Sequence, residues 1–451
     1  HRGGDGMIKI TFLGAGSTVF AKNILGDCML SPALHDAHIA LYDIDAERLE
    51  ESRMVVHNLN ETINDGASKI SVHLGAEERV DALRDAAFVV NAIQVGGYEP
   101  ATVIDFEVPK EFGLRQTIGD TLGIGGIFRG LRTVPVVLEI AREMESVCPD
   151  AWFLNYTNPM AIVTGALLRG SAVRTVGLCH SVQACVPSLL RRLRMDVPLE
   201  RVRWRIAGIN HMAWLLELTL DGEDLYPEVR KRAFELNDRA LDDPQARHDD
   251  MVRFEILRHF GHYVTESSEH NAEYTPYWIK SSFPELVEQY NVPLDEYPRR
   301  CEEQISQWKA QGAELTASAK LDHARTDEYG SVIMESIVGD SSARIHGNVL
   351  NRGAIPNLPA DAVVEVACLV DGNGVQATQV GSLPPQCAAL NRTNINVKDL
   401  GIQAALTGSR ELVYQAAYLD PHTAAELPLA RIRELCDRLI DAHGEYLQAL
   451  T

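Results

Sequence analysis

The sequence predicts an α/β fold in which a doubly wound parallel sheet is followed by a mixed α+β region. Three observations predict it: short β-branched apolar runs alternate with helical patterns, a Gly-x-Gly turn follows the first run, and polar residues follow several later runs. The expected boundaries are residues 7–200 for a Rossmann-type domain and 201–451 for the second region. Residues 1–6, polar and glycine-rich, are expected to be an added leader ahead of a native start at Met7.

Composition describes an ordinary globular protein with an excess of acidic residues. Of its 451 residues, 45% are hydrophobic and 23% are charged, and the formal net charge is −21. That charge argues against nucleic acid and anionic membranes as partners, and no apolar run approaches the ~18 residues that span a bilayer. The eight cysteines are scattered rather than spaced as a disulfide framework, so a reducing, cytoplasmic location is expected.

The first strand and its turn are typical of a dinucleotide-binding unit. The run Lys9–Leu13 leads into Gly14-Ala15-Gly16-Ser17-Thr18-Val19, and a helical pattern follows. The glycines let the backbone approach a pyrophosphate, which would lie at the helix N-terminus. The next strand ends in Asp43, which can accept both ribose hydroxyls and would repel the 2′-phosphate of NADP, so NAD is expected. Alternatively, Asp43 is a solvated turn residue. Val19 replaces the usual third glycine, which makes this motif weak by itself.

Two later segments are expected to lie along a ligand. Gln94 opens Gln94-Val95-Gly96-Gly97-Tyr98, directly after the strand Phe88–Ile93, and fits a loop beside the cofactor. Residues 113–130 are rich in glycine and include the charged Asp120, Arg129 and, just beyond, Arg132. Long glycine-rich loops in compact domains tend to be functional, so a functional loop is predicted here; a mobile surface loop is the alternative.

Polar residues also follow the next two predicted strands. The strand Ala151–Tyr156 precedes Asn158, and the run Val173–Leu178 precedes Cys179-His180. Because the carboxyl ends of parallel strands meet at one edge of a sheet, Gln94, Asn158 and Cys179 are expected to lie close together. Asn158 alternatively acts as the N-cap of the helix that follows.

A cysteine and a histidine form a candidate metal site. His211 closes the predicted strand Val202–Ile209, and another strand, Met212–Leu220, follows it. One thiolate, from Cys179, and one imidazole suit Mn²⁺, Fe²⁺, Co²⁺, Ni²⁺ or Zn²⁺ and leave coordination positions open. Two ligands are too few for a structural zinc, so a catalytic metal is expected. The alternative is that Cys179 is an ordinary core residue.

The second half is expected to be mainly helical beyond Asp221, with a further site-lining segment. Ser267–Trp278 is rich in polar and aromatic residues that do not recur with helical periodicity. A surface helix has little use for so many aromatic and amide side chains, so this segment is expected to line the site. Asp295–Arg300 is predicted to be a turn before a helix at about Gln304–Lys320.

These motifs together resemble glycoside hydrolase family 4, the NAD- and divalent-metal-dependent glycosidases, from Ile8 to about the end of the chain. The resemblance is carried by four motifs: Gly14-Ala15-Gly16-Ser17, Asn155-Tyr156-Thr157-Asn158-Pro159, Cys179-His180-Ser181-Val182 and Asn210-His211-Met212. The Cys-His-Ser-Val version is similar to that of the α-galactosidases of the melibiase type, whereas the 6-phospho-glycosidases carry Asp or Asn after the cysteine. The resemblance therefore implies an α-galactosidase with a nucleotide-binding domain like that of lactate and malate dehydrogenases.

The resemblance also implies cofactors and a reaction. NAD would oxidise C3 of the sugar, and a divalent metal, usually Mn²⁺, held by Cys179 and His211, would make the C2 proton acidic. Tyr274 matches the family's base for that proton, with Tyr277 as the fallback. His180 would protonate the leaving group after elimination at C1. This route differs from the two-carboxylate mechanism of most glycosidases.

The remaining site residues implied by the resemblance bind or face the sugar. They are Asn158, Asn210 and Arg300 as substrate-binding residues and Asp120 as a carboxylate facing the sugar. The resemblance further suggests a homodimer or homotetramer that acts on a small α-galactoside.

Other functions remain open from the sequence. Within the family, α-glucosidase and α-glycuronidase activities are alternatives, and Arg129 or Arg300 could bind the carboxylate of a glycuronide. Outside it, the chain could be a plain NAD-dependent dehydrogenase of a hydroxy acid or polyol, or a non-catalytic NAD-sensing scaffold in which Cys179 is a core residue.

Overall fold

A computed structural model describes residues 6–317 and 320–451. The prediction of an added leader at 1–6 falls almost wholly on residues outside this range. Within the described residues, no helix is both long enough and apolar enough to cross a membrane.

The strands belong to one sheet. In chain order they are β1 Lys9–Leu13, β2 His38–Asp43, β3 Lys69–Leu74, β4 Phe88–Asn91, β5 Trp152–Asn155, β6 Arg174–Gly177, β7 Val202–Ile209, β8 Met212–Leu220, β9 Glu223–Asp224, β10 Tyr263–Val264, β11 Ala343–Leu350, β12 Val363–Asp371 and β13 Gly374–Ala377.

Helices connect and cover these strands. They are α1 Thr18–Leu30, α2 Ala46–Ile63, α3 Ala76–Leu83, α4 Val103–Glu111, α5 Gly123–Val147, α6 Met160–Gly170, α7 Ser181–Arg192, α8 Tyr226–Asp242, α9 Met251–Phe260, α10 Ser268–Tyr274, α11 Glu285–Gln289, α12 Glu296–Ala317, α13 Tyr329–Gly339, α14 Pro385–Thr407, α15 Arg410–Leu419, α16 Pro421–Glu426 and α17 Leu429–His443.

The N-terminal strands form a parallel sheet in the order β6-β5-β4-β1-β2-β3. This is the Rossmann order, in which the direction of winding reverses between β1 and β4. The central strands are buried on both faces, as expected where helices cover both sides of a parallel sheet. The predicted doubly wound α/β fold is confirmed.

Antiparallel strands extend the same sheet beyond β6, in the order β6-β11-β12-β7-β8-β10. The register pairs Asn348 of β11 with Gly177 of β6, and Glu365 of β12 with Gly208 of β7. The sheet is therefore shared by both halves of the chain. The predicted division at residues 200 and 201 stays a prediction.

The C-terminal helix α14 packs on α5 and α6. Gly165 permits the approach of α14 to α6, because a Cβ there would lie 2.5 Å from Cδ1 of Ile402. Burying a side chain such as Ile402 contributes about 1.5–3 kcal/mol. The last part of the chain is thus part of the main core rather than an appendage.

The prediction of a glycine-rich loop over residues 113–130 is wrong from Gly123 onward, because α5 begins there. Its glycines serve close packing: a Cβ on Gly126 would lie 2.6 Å from the carbonyl carbon of Thr121, and one on Gly130 would lie 2.9 Å from Ile162. Glycine lowers helix propensity by about 1 kcal/mol, and tertiary contact overrides that cost here.

Two further local predictions are wrong. Asn158 is not the N-cap of the next helix, since Pro159 takes that place and α6 begins at Met160. The turn predicted at Asp295–Arg300 lies mostly in the first turns of α12, where Pro298 is tolerated because the first helical N–H groups need no intrahelical acceptor. The end of the predicted helix Gln304–Lys320 reaches residues outside the described range.

Candidate active site

Three neighbouring strands deliver polar side chains to one edge of the sheet. Strands β4, β5 and β6 lie side by side and parallel, and the chain leaves them toward Gln94, Asn158 and Cys179 respectively. This edge, at the carboxyl ends of the strands, is where open α/β sheets bind their ligands.

The Gly14–Val19 turn meets the requirements of a phosphate-binding loop. Gly14 has φ +81°, and a Cβ there would lie 2.7 Å from the backbone of Ala92, so only glycine fits. The N–H of Gly16 donates a 2.7 Å hydrogen bond to the carboxylate of Asp43, which places the acid against the loop. Val19 is 50% exposed on α1, and this explains why a third glycine is not required for close packing.

Ser17 and Thr18 form the start of α1, with Ser17 at the N-cap. Free N–H groups at such a helix start bind anionic phosphate. Gln94 is exposed, and its backbone carbonyl accepts a hydrogen bond from the backbone N–H of Gly97 at 3.4 Å. Ser17 is also exposed, whereas Thr18 is buried, with its hydroxyl 2.8 Å from that of Ser52.

Cys179, His211 and Glu266 form a cluster of potential metal ligands. One donor atom from each, a sulfur, an imidazole nitrogen and a carboxylate oxygen, lies within 4.8 Å of the others. Such a mixed set fits Mn²⁺ and the other first-row divalent ions. Glu266 was missed in the sequence, because it is one of several acids in a polar segment without a spacing signal.

His211 occupies the turn between β7 and β8, with a left-handed φ of +65°. Burial lowers its pKa to about 4, so the imidazole is neutral and able to bind a metal. Its Nδ1 lies 2.8 Å from the hydroxyl of Tyr274, and the two rings are stacked. A histidine that binds a metal through Nε2 carries its proton on Nδ1, where it would donate to the Tyr274 oxygen.

The thiol of Cys179 lies at the entrance to α7, 3.4 Å from the hydroxyl of Ser181. Burial and the nearby carboxylates of Glu365 and Glu266 raise its pKa to about 12. A divalent cation favours the thiolate strongly enough to deprotonate a coordinating cysteine. The carboxylates around Cys179 therefore favour a role for this cysteine as a ligand of a cation over a role as a free reactive thiolate.

Tyr274 faces the metal-ligand cluster, and Tyr277 does not. Tyr274 is buried at the end of α10, whereas Tyr277 is 44% exposed and packs against Phe260. Burial, together with the carboxylates of Asp120 and Glu273, raises the pKa of Tyr274 well above its ordinary value. Its ionised form would need positive charge close by.

Asp120 and Asn158 are brought together on the other side of Tyr274. Asp120 is buried and lies 3.4 Å from the Asn158 amide, which donates to its Oδ2. Its other oxygen accepts a 2.8 Å hydrogen bond from Thr121. A carboxylate and an amide at this spacing can share the hydroxyls of a sugar.

Glu273, next to Tyr274, holds the loop that carries Asp120. Its two carboxylate oxygens accept hydrogen bonds from the backbone N–H groups of Thr117 at 2.9 Å and Gly119 at 2.8 Å. Burial raises the pKa of Glu273 to about 7. This contact could not be predicted from the sequence, because it joins segments far apart in the chain.

His180 is half-exposed and is oriented by Glu328. Its Nε2 hydrogen-bonds the Glu328 carboxylate, and this contact is the main cause of its raised pKa. Glu328 immediately precedes α13, far along the chain, so the pairing could not be read from spacing. A histidine with a raised pKa stays protonated to higher pH and can serve as a proton donor.

Two predicted sugar-binding residues lie against charged partners. Arg300 pairs with Glu269 at 2.6 Å and with Glu296 at 3.1 Å. Asn210 is buried beside the Glu365 carboxylate, and its carbonyl lies 3.5 Å from the ammonium of Lys398. Their roles toward a sugar stay predictions.

Known proteins match this chain over almost its whole length. The model of the family described as "Family 4 glycosyl hydrolase" matches residues 9–195, and the model of that family's C-terminal domain matches residues 206–423. An α-galactosidase of Bacillus subtilis (strain 168) is 54% identical over 98% of this chain and 99% of its own length. An α-galactosidase of Rhizobium meliloti (strain 1021) is 31% identical over 97% and 89%.

A solved structure has the same fold. It is a 6-phospho-α-glucosidase from gut microorganisms in complex with NAD and Mn²⁺, and it superposes with a TM-score of 0.79 at 23% identity, covering 99% of this chain and 100% of the other.

Proposed function

The chain belongs to family 4 of the glycosyl hydrolases, and we propose on that basis that it hydrolyses terminal α-D-galactosides of the melibiose type, with NAD and a divalent metal, most favourably Mn²⁺. The observation that carries the proposal is the contact of Tyr274 with His211 beside Cys179, at the sheet edge that follows the nucleotide-binding turn. The identity to α-galactosidases supports the choice of sugar.

In the proposed reaction, bound NAD would accept a hydride from C3 of the sugar and later return it, while the metal would polarise the C3 carbonyl. Gly14, Gly16 and Asp43 would hold the dinucleotide, and Cys179 and His211 would hold the metal. The chain's own groups then have two tasks, which are to orient the sugar and to move protons.

Tyr274 would remove the C2 proton. Its hydroxyl oxygen is beside the Nδ1 of His211, and a proton on that nitrogen stabilises the phenolate by a hydrogen bond. Burial alone opposes ionisation of Tyr274, so the phenolate depends on the cation that His211 would bind. Tyr274 would therefore act as a base only when the metal is bound.

His180 would then protonate the glycosidic oxygen as the C1 substituent leaves. Water would add to C1 of the resulting C1–C2 double bond and C2 would regain a proton, after which the hydride would return to C3. The Glu328 carboxylate favours the imidazolium form and fixes the ring. Because His180 is half-exposed, it can exchange its proton with solvent between turnovers. Asn158 and Asp120 would bind sugar hydroxyls and fix the ring between the two proton-transfer groups.

A neutral galactoside fits the charges of the site better than a glycuronide. Arg300 is already paired with two carboxylates, and Arg129 is buried, hydrogen-bonded to Tyr297 and close to Asp120. A sugar carboxylate would have to displace one of these partners at a free-energy cost. An α-glucoside differs from an α-galactoside only in the orientation of one hydroxyl group, so an assay must decide between these two substrates.

We further propose a cytoplasmic enzyme that works as a homodimer or homotetramer. All eight cysteines lie in the described residues and are free, and Cys179 must remain reduced to bind a metal. Size-exclusion chromatography with light scattering tests the oligomeric state.

The function is tested with a panel of chromogenic α-galactosides, α-glucosides and α-glycuronides under catalytic NAD⁺ and Mn²⁺. We expect cleavage of the α-galactoside without net formation of NADH, and loss of activity with a chelator. A dehydrogenase would instead release one NADH for each substrate oxidised. If the glucoside or the glycuronide is cleaved faster than the galactoside, the proposed substrate is wrong and that sugar takes its place.

A further inference from the structure

We propose that Glu266 is a third ligand of the metal, so that the site is a thiolate, imidazole and carboxylate triad rather than a cysteine–histidine pair. The inference rests on the proposed function, since it takes Cys179 and His211 as the first two ligands. Glu266 is the carboxylate whose oxygen lies within 4.8 Å of both their donor atoms.

The carboxylate of Glu266 has one oxygen held by its own loop and the other directed at His211. Its Oε1 accepts a 2.9 Å hydrogen bond from the N–H of Ser267 and faces Nδ1 of His270 at 3.6 Å. Its Oε2 lies 3.4 Å from Nε2 of His211, which is longer than an ordinary N–H···O hydrogen bond.

The tautomer of His211 that donates to Tyr274 favours a cation between Nε2 and Glu266. If Nδ1 carries the proton and donates to Tyr274, then Nε2 presents a lone pair to a carboxylate oxygen. Two acceptors that face each other repel unless a cation lies between them. A shared metal ion removes that repulsion and accounts for the separation of Oε2 from Nε2.

The backbone segments that carry His211 and Glu266 are tied together by Asn271. This residue is buried, and its amide Nδ2 shares its two hydrogens among the carbonyl oxygens of His211 at 3.4 Å, Thr265 at 3.1 Å, Glu266 at 3.3 Å and Ser267 at 3.2 Å. In addition, the N–H of Thr265 donates a 2.8 Å hydrogen bond to the carbonyl of Ala213. The two candidate ligands therefore belong to one rigid unit.

Both residues have the same unusual backbone conformation. His211 and Glu266 each have φ +65°, in the left-handed region that side-chain-bearing residues rarely adopt. Strain of this kind persists where the surroundings enforce it, and it concentrates at functional sites. The Asn271 amide provides that enforcement for both.

A carboxylate also changes which ions the site prefers. A thiolate and an imidazole suit several first-row divalent ions, and an added carboxylate oxygen shifts the preference toward Mn²⁺, which prefers six ligands. Three protein ligands would leave three of those six positions for sugar oxygens and water. The second negative charge would also raise affinity for a divalent ion.

The test measures binding of Mn²⁺ alone to the metal-free full-length protein, by the electron paramagnetic resonance signal of free Mn²⁺. Removal of outer-sphere partners weakens metal binding about 10- to 100-fold, and we expect Glu266→Gln to raise the Kd for Mn²⁺ at least that much. Glu266→Asp keeps the charge on a shorter side chain, so we expect a smaller increase. NAD affinity should stay within about twofold of the parent in both, as a check on folding.

Glu255→Gln is the matched control, because Glu255 is a buried carboxylate on α9 that pairs with Arg258 and lies outside the metal-ligand cluster. We expect it to leave the Kd for Mn²⁺ unchanged. If Glu266→Gln binds Mn²⁺ like the parent while Cys179→Ala does not, Glu266 is only an ion-pair partner of His211 and His270. If Cys179→Ala also binds normally, the proposed metal site itself is wrong.

Should Glu266→Gln fail to fold, Glu266→Asp decides the question. A folded Glu266→Asp variant with unchanged Mn²⁺ affinity would contradict the assignment, because a carboxylate shortened by one methylene group cannot keep the same bond to the ion.

Discussion

The parallel part of the sheet and its antiparallel extension contribute different chemistry to the same edge. The parallel part contributes mainly backbone, namely a glycine turn, a helix start and loops after β4 and β5, together with the carboxylates of Asp43 and Asp120. The extension and its neighbouring segments contribute side chains able to bind an ion or move a proton, namely His211, Glu266 and Tyr274. Cys179 lies two residues beyond the end of β6, the strand at which the two parts join.

This difference predicts that mutations can separate binding of the nucleotide from cleavage of the sugar. Backbone groups can bind a phosphate regardless of most side-chain changes, whereas metal binding depends on the individual donor atoms of the ligand side chains. Each of the following predictions tests whether a change in one part leaves the other intact.

The largest effect is expected from loss of a metal ligand. Cys179→Ala and His211→Ala should each lower kcat/KM for the α-galactoside by about 10³-fold or more, because polarisation of a carbonyl by a metal contributes several kcal/mol. NAD affinity, measured by calorimetry, should not change. An active Cys179→Ala or His211→Ala variant would remove the metal from the proposed function.

Tyr274→Phe should have the next largest effect. Removing a general base costs about 10²- to 10⁴-fold, so kcat should fall within that range. Exchange of the C2 hydrogen with deuterated solvent should disappear, as followed by nuclear magnetic resonance, while reduction of NAD on mixing with substrate persists. Tyr277→Phe is the control, and loss of exchange in that variant instead would reverse the choice of base.

Asp43→Asn should weaken binding of NAD about 10- to 150-fold, because a hydrogen bond to a charged acceptor contributes about 1.5–3 kcal/mol. Discrimination against NADP should weaken as well, since the repulsive carboxylate is lost. Titration of Mn²⁺ binding should give the parent value. A parallel loss of metal affinity would show that the two parts are coupled.

The smallest effect is expected from Glu273→Gln. The amide keeps one acceptor for the N–H groups of Thr117 and Gly119 but turns a donor toward the other, so the loop bearing Asp120 should shift slightly. We expect a fall in kcat of about three- to tenfold with unchanged affinity for NAD and Mn²⁺, since small misplacements of reacting groups lower rates. A wholly unchanged kcat would mean that Glu273 does not position the site.

The parts of the fold that depend on local pattern could be predicted from the sequence. Apolar runs bounded by polar residues predicted β7 and β8 at their observed limits, and the alternation of strands and helices predicted the parallel sheet. The start of α5 was missed because its glycines are stabilised by tertiary contacts that no local propensity records.

The candidate site divides in the same way. Cys179 and His211 each end an apolar run, and the structure brings them together. Glu266, Glu273 and Glu328 were missed because each acts on a partner distant in the chain: His211, the Thr117–Gly119 backbone and His180. An acid in a polar segment carries no local sign of such a partner.

The pairing of Gly177 with Asn348 and of Gly208 with Glu365 has a consequence for stability. The first pair joins the parallel part of the sheet to its extension two residues before Cys179, and the second pair lies within the extension three residues before His211. The Asn348 amide connects the two pairs, because it donates to the Gly177 carbonyl and to the Glu365 carboxylate. An ion bound above them would act as a cross-link between the halves, worth about 2.7 kcal/mol at a hundred times its Kd. The melting temperature should therefore rise with the concentration of free manganese, even when sugar and nucleotide are absent.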